Sequence, residues 1–294
     1  MTEIQIRLLQ PFGVEIMGVD LSREMDDETF GRIEQALNEN GLVILHDQDM
    51  RPEEQIRFTR GFGELEVHVR QEYALPGYPQ IHLISNIKEG DRSIGSAYAG
   101  DDWHTDLCFM KRPARMSLLY GKEIPHDDNG EPLGDTLFVN TADAYDRLSE
   151  EQKRKIAGLR GVHQYFRAQE RKRAQREHDH KRAPLTEAQK AATPDITHPV
   201  VRRHPFTGRK CIYVNQTYTF GIDGWDEERE AQPLLKELFD HILQPEYIYR
   251  HRWRVGDVVM WDNCCTQHKA AGGYRWPQRR LMHRTAVNGT ETFE

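Results

Sequence analysis

The sequence predicts a mainly β protein, a double-stranded β-helix (jelly roll) with peripheral helices. Three observations point there. Short apolar runs recur from end to end, as in Leu42-Val43-Ile44-Leu45, Met116-Ser117-Leu118-Leu119-Tyr120 and Val258-Val259-Met260-Trp261. Turn-forming residues separate such runs, which is how buried strands read. Helical periodicity is confined to a few stretches, and no internal repeat or linker interrupts the 294 residues. Many short strands in one uninterrupted chain are expected to bury their faces in two packed sheets, a single domain over 1–294.

Each element has a local reason. Residues 4–20 read as two short strands around Pro11-Phe12-Gly13. Asp26 or Asp27 caps a helix with Phe30, Ile33 and Leu37 on one stripe, and Asn40-Gly41 ends it. Leu42 to Leu45 follow as a buried strand. Pro52 suits the first turn of a second helix that turns Ile56 and Phe62 inward and closes at Phe62-Gly63-Glu64-Leu65. From Val67 to Gly100 the chain is loop-rich, with a strand at Ile81-His82-Leu83-Ile84. Strands are expected at 116–120 and 134–139, separated by a turn-rich insert. Thr141 caps a short helix, and Ser149-Glu150-Glu151-Gln152 has capping-box form for another.

Residues 167–182 are dense in Arg, Lys, Glu, Asp and His. Acids interleave with the bases and no aromatics sit between them, so a solvated helix face or lid over about 164–198 is expected rather than a nucleic-acid patch. Strand patterns at 200–202 and 211–215 precede a helix with Leu234, Leu235, Leu238, Phe239 and Ile242 on its core side. Residues 247–253 alternate, and the strands at 258–261 and 280–287 complete the chain.

Composition excludes several classes. A net charge of −7 argues against general affinity for nucleic acid. No apolar run approaches a membrane span, and Met1-Thr2-Glu3-Ile4-Gln5 lacks a signal-peptide pattern. Four cysteines are too few for a disulfide framework and are expected as reduced, packed thiols in a cytoplasmic protein.

The chemistry centres on Asp102-Trp103-His104-Thr105-Asp106. In extended backbone, residues i and i+2 share a face, so His104 and Asp106 can serve one metal ion. Two histidines and one carboxylate on one face of an octahedron form the usual non-haem Fe(II) set. His268 is the candidate for the second imidazole. Taken alone, the His-x-Asp pair is far more often a surface or hydrogen-bonded pair than a metal site. In the last strand, Arg280, Met282, Arg284 and Ala286 share a face. That face holds two acidic ligands or lies open to water, and spacing alone leaves both readings standing.

Taken together, several motifs resemble the taurine dioxygenase family, the Fe(II)- and 2-oxoglutarate-dependent oxygenases that include 2,4-dichlorophenoxyacetate dioxygenase. They are Gly61-Phe62-Gly63-Glu64-Leu65, Trp103-His104-Thr105-Asp106, Gly134-Asp135-Thr136, His204-Pro205 with Gly208-Arg209-Lys210, Trp261-Asp262-Asn263 with His268, and Gln278 to Arg284. The resemblance spans nearly the whole chain. It implies His104, Asp106 and His268 as iron ligands, and Thr136 and Arg280 at the outer carboxylate of 2-oxoglutarate. Arg284 would grip the acidic end of the primary substrate, with His68, Tyr165 and Tyr218 around it. Trp261 and Asn263 would shape the turn before His268.

The implied activity is hydroxylation of a small anionic organic substrate. It would be coupled to decarboxylation of 2-oxoglutarate to succinate and CO2 with O2 as cosubstrate, and substrate cleavage could follow. A homo-oligomer, dimer or tetramer, is also implied. Where the taurine enzyme carries an Asn four residues before its first ligand, Gly100 stands here, and an extra residue lies between His268 and Arg280. A non-catalytic small-acid binder and a zinc hydrolase on the same scaffold are the alternatives.

Overall fold

The computed structural model describes residues 4–97, 99–175 and 184–294. The first third runs β1 (Gln5–Leu8), β2 (Val14–Met17), α1 (Asp27–Asn40), β3 (Leu42–Leu45), α2 (Pro52–Arg60), β4 (Ala74–Leu75), β5 (Tyr78–Ser85), β6 (Lys88–Glu89) and β7 (Arg92–Ser93). The middle holds β8 (Ala114–Glu123), β9 (Thr136–Asn140), α3 (Thr141–Asp146), α4 (Glu150–Ile156), β10 (Arg160–His163), α5 (Tyr165–Gln175) and α6 (Glu187–Ala192). The rest comprises β11 (Ile196–Pro199), β12 (Val201–Arg203), β13 (Lys210–Ile212), β14 (Thr219–Ile222), α7 (Gln232–Ile242), β15 (Ile248–His251), β16 (Val258–Asp262), β17 (Thr266–Ala270) and β18 (Leu281–Asn288).

The large sheet has the order β1-β2-β3-β16-β8-β18-β5-β4, and a second sheet has the order β15-β9-β17. Between them lies a core of Leu42, Ile44, Leu119, Val259, Trp261 and Met282 from the large sheet against Phe138 of β9 and the neighbouring Trp253. This is the jelly roll. Val43, Leu45, Val258 and Met260 point the other way and pack on Ile33 and Leu37 of α1 and on Phe58 and Phe62. Both faces of the central strands are covered, so their apolar runs do not alternate with polar residues.

Helix α1 starts where Asp26 accepts from the Thr29 N–H at 2.7 Å. It stops at Gly41, whose φ of 73° and N–H to Leu37 O make the left-handed cap. A Cβ at Gly41 would meet Cys265 Sγ at 3.1 Å, so only glycine lets this cap sit against the β16–β17 turn.

Three local expectations are corrected. Asn140, not Thr141, caps α3, accepting from the N–H groups of Ala142 (2.9 Å) and Asp143 (3.1 Å). A cap needs extended backbone, which Asn140 has as the last residue of β9, whereas Thr141 is already helical. Helix α2 ends at Arg60 and buries Gln55, Phe58 and Thr59, while Ile56 is half-buried. Its inner face meets the polar backbone side of β18, with Gln55 donating to His283 O and Thr59 hydroxyl-bonded to Thr285. The strand expected at 200–202 starts one residue later, as β12 (Val201–Arg203), because the chain bends at Val200 after β11 ends at Pro199. The expected lid contains α5 and α6, and its charged stretch 176–183 lies outside the described residues. No helix among the described residues is long and apolar enough to cross a membrane.

Candidate active site

His268 sits in the middle of β17, and the chain entering β8 runs antiparallel beside it. His104 and His268 exchange both backbone hydrogen bonds, at 3.1 and 2.9 Å, so they lie directly opposite one another. Their rings are 4.1 Å apart. Asp106, two residues on, returns to the same side, and the ligand atoms of all three residues lie within 4.8 Å of one another. All three are buried.

Hydrogen bonding sets their states. The Asp102 carbonyl lies 2.9 Å from His104 Nδ1, which fixes the proton there and leaves the Nε2 lone pair free. Burial pushes both imidazoles below their ordinary pKa, His268 the further, so both are neutral donors of electron pairs. Burial also opposes ionisation of Asp106. The Arg284 guanidinium at 3.0 Å and the Ser117 hydroxyl at 2.7 Å outweigh it and hold the carboxyl well below the usual range. Asn263 completes the mount. Its Oδ1 accepts from the Asp106 N–H (3.2 Å) and from Trp261 Nε1 (3.1 Å), and its Nδ2 donates to Ser117 Oγ (3.0 Å). His268 Nδ1 is buried without a hydrogen-bond partner among the described residues. Two neutral imidazoles and an ionised carboxylate, convergent and buried, fit a divalent cation that takes mixed nitrogen and oxygen ligands.

Two cavities meet at this triad, sharing Ile84, Gly100, His104, Asp106 and Arg284 among their walls. The first runs past His268 and Trp261 to Thr136 and Arg280. Arg280 is 2% exposed, and the acceptors its guanidinium bonds among the described residues are neutral: Gly134 O at 3.3 Å and Tyr274 Oη at 3.5 Å. No carboxylate among the described residues pairs with it, and its Nε has no partner. The open-face reading of the last strand therefore fails: both arginines are buried. Thr136 Oγ1 accepts from Trp253 Nε1 at 2.9 Å, which leaves its own proton to donate toward the cavity.

The second cavity is bounded by Arg284, His68, His82, Phe109, Tyr165, Gln169, Lys172 and Tyr218. Phe109 lies 4.2 Å from the Tyr165 ring and 5.0 Å from the Tyr218 ring, an aromatic wall. Tyr165, Gln169 and Lys172 come from one face of α5, and Lys172 Nζ pairs with Asp101 at 2.6 Å, close before His104. The inner face of the expected lid is thus a cavity wall. Arg284 meets Glu66 Oε2 at 3.5 Å on its other side. Burial lifts the Glu66 carboxyl to about 6, against the pull of Arg284. Gly100 has φ +74°, and a Cβ there would stand 3.0 Å from His104 Cε1, so an Asn at this place would press on the imidazole.

Of the residues singled out from sequence, His104, Asp106, His268, Thr136, Arg280, Arg284, His68, Tyr165, Tyr218 and Trp261 line this pair of cavities, while Asn263 stands behind Asp106. Sequence reasoning missed Glu66, Ser117, Phe109, Gln169 and Lys172. The helical spacing 165–169–172 and the lone hydroxyl of Ser117 inside an apolar strand were the available signals.

Residues 5–286 match the family model described as taurine catabolism dioxygenase TauD, TfdA family. An alpha-ketoglutarate-dependent 2,4-dichlorophenoxyacetate dioxygenase from Burkholderia sp. (strain RASC) is 32% identical over 272 residues, covering 87% of this chain and 84% of the relative. An alkylsulfatase from Acinetobacter baylyi is 31% identical over 294 residues, covering 99% of this chain and 86% of the relative. The solved structure of AAD-2 in complex with Mn(II) and N-oxalylglycine superposes with a TM-score of 0.79 at 29% identity, covering 99% of each chain. The chain belongs to the taurine catabolism dioxygenase TauD, TfdA family, and it is an alpha-ketoglutarate-dependent dioxygenase.

Proposed function

We propose that this dioxygenase holds ferrous iron between His104, Asp106 and His268 and hydroxylates a small anionic organic substrate. The carrying observation is the pairing of a convergent, buried His-Asp-His set with a buried Arg280 that pairs with no carboxylate among the described residues. A structural neighbour binds Mn(II) and N-oxalylglycine, a dicarboxylate, which supports a metal and a diacid in one site. When bound, iron supplies the O2-dependent oxidation that decarboxylates 2-oxoglutarate to succinate and CO2.

The chain's residues do the rest by binding and orientation. Arg280 and the Thr136 hydroxyl take the outer carboxylate of 2-oxoglutarate, one by charge and one by donation. Arg284 orients the acidic end of the substrate beside the metal, and His68, Tyr165, Tyr218 and Phe109 enclose its body and exclude water. Relatives act on 2,4-dichlorophenoxyacetate and alkyl sulfates by name. If the hydroxylated carbon bears oxygen, the product falls apart, and cleavage follows hydroxylation.

Anaerobic Fe(II) with 2-oxoglutarate is expected to give a weak visible charge-transfer band that His104→Ala abolishes. An unchanged band in that variant removes His104 from the metal. A panel of aryloxy acids, sulfonates and alkyl sulfates, read by substrate-stimulated succinate release, then identifies the substrate class. Full activity with zinc in place of iron would overturn the redox reading.

A further inference from the structure

The substrate side of the paired cavities carries neutral polar groups that the described residues leave unanswered. Its charged groups are matched: Arg284 lies between Asp106 and Glu66, and Lys172 pairs with Asp101 at 2.6 Å. Gln169 differs. It is 8% exposed and lines this cavity, yet its side-chain amide makes no hydrogen bond to a described residue. The hydroxyls of Tyr165 and Ser96, both buried residues of the same lining, likewise bond to no described residue. Gln169 follows Tyr165 by four residues, so the two share the cavity face of α5, about one turn apart.

The helix is fastened where it stands. Arg167 grips Glu227 through two bonds at 2.6 and 2.9 Å. Arg171 donates to Gln216 O at 3.1 Å and to Thr217 O at 3.2 Å, and Lys172 holds Asp101. A donor and acceptor presented on a fixed helix cost a ligand little ordering. Packing does not call for an amide here, because Phe109 and the rings of Tyr165 and Tyr218 already wall a hydrocarbon body. Water can answer the amide in the empty cavity, but a substrate that fills the cavity expels that water. An apolar body then leaves the amide buried and unbonded, which is destabilising, whereas a body with a matching polar group does not.

We infer that Gln169, assisted by the Tyr165 hydroxyl, determines specificity, and that the substrate is a bifunctional acid. One anionic group meets Arg284, and a neutral hydroxyl, carbonyl or amide on the body meets Gln169. This rests on the acid-gripping role of Arg284 and narrows it. The Gln169 amide offers a donor NH2 and an acceptor oxygen, so it can bond such a group in either direction. The chlorines of 2,4-dichlorophenoxyacetate, the acid for which one relative is named, would leave it unanswered. The substrate of this chain therefore differs from that acid where it meets α5.

The test is calorimetric titration of the full-length protein, loaded with Mn(II) and 2-oxoglutarate, with matched acids; it needs no turnover. The series are phenoxyacetate with its ring-hydroxylated isomers, and hexyl sulfate with its terminal-hydroxy analogue. The member whose hydroxyl is best placed is expected to bind about 10-fold or more tighter than its unsubstituted parent. Gln169→Leu, which keeps the bulk and removes both polar atoms, should bring that ratio to about one, and Tyr165→Phe should lower it by less. The wild-type ratio decides the matter even if a variant misfolds. Equal affinities across both series, or tighter binding of the parents, would overturn the inference and leave the dioxygenase reading standing. So would a preference that persists in Gln169→Leu. If no acid of either series binds while Mn(II) and 2-oxoglutarate do, the inference falls together with the acid-gripping role of Arg284.

Discussion

Arg280 and Arg284 enter one cavity system four residues apart on the last strand, yet their charges are answered differently. Among the described residues Arg280 bonds only neutral oxygens, whereas Arg284 lies between Asp106 at 3.0 Å and Glu66 at 3.5 Å. A buried charge without a counter-ion is destabilising, so the protein tolerates Arg280 at a cost that an arriving anion offsets. Arg284 is held by the protein itself, and a substrate shares a guanidinium already partly screened. On the proposed assignment, the cosubstrate end would be preset for a full negative charge, and the substrate end would be tuned to a weaker or more selective grip.

The largest expected effect breaks the first half of this contrast. Arg280→Ala should weaken 2-oxoglutarate binding by about 100-fold or more, since truncating one partner of a buried charge pair costs about 2–5 kcal/mol. Anaerobic equilibrium titration reads this, and a loss below tenfold would mean that Arg280 is not the anion's seat. Arg284→Ala should lower substrate-stimulated succinate release by roughly 100-fold while 2-oxoglutarate affinity changes only a few-fold. The opposite pattern would exchange the roles of the two arginines.

Glu66→Gln sharpens the second half through pH. The folded protein raises the Glu66 carboxyl from 4.5 to about 6, so it binds this proton more tightly than the unfolded chain does. The stability contributed is complete below about pH 4.5 and is lost as pH rises through about 6, an amount of about 2 kcal/mol. Urea unfolding at pH 4.5 and 7 should show this loss in the parent and a flatter profile in Glu66→Gln. An identical slope in both would mean that Glu66 is solvated. Ser117→Ala should have the smallest effect, about tenfold weaker Fe(II) binding through a less well-oriented Asp106, with 2-oxoglutarate affinity at saturating metal unchanged. Metal titration checks it, and wild-type affinity would assign the orientation of Asp106 to Asn263 and Arg284 alone.

How much was legible follows the range of each interaction. His104 and Asp106 share a face because i and i+2 do so in any extended segment, and the caps at Asp26, Gly41 and Ser149 are local hydrogen-bond patterns. Thr141 was misassigned by a single residue because where β9 ends depends on its sheet partners. The inner face of α2 was misread because Gln55 and Thr59 are drawn inward by a strand more than two hundred residues away in sequence.

The sequence by itself determined the jelly-roll strands, the likeness to a dioxygenase family, and which histidines, carboxylate and arginines to examine. Those depend on residue order and backbone period. Only the tertiary structure decided that Asp106 and Glu66 flank Arg284 while no carboxylate among the described residues pairs with Arg280, and that α5 walls the second cavity. Each of these is a meeting of side chains from separate elements, set by sheet register and by what burial does to charge, and no local pattern in the chain encodes either.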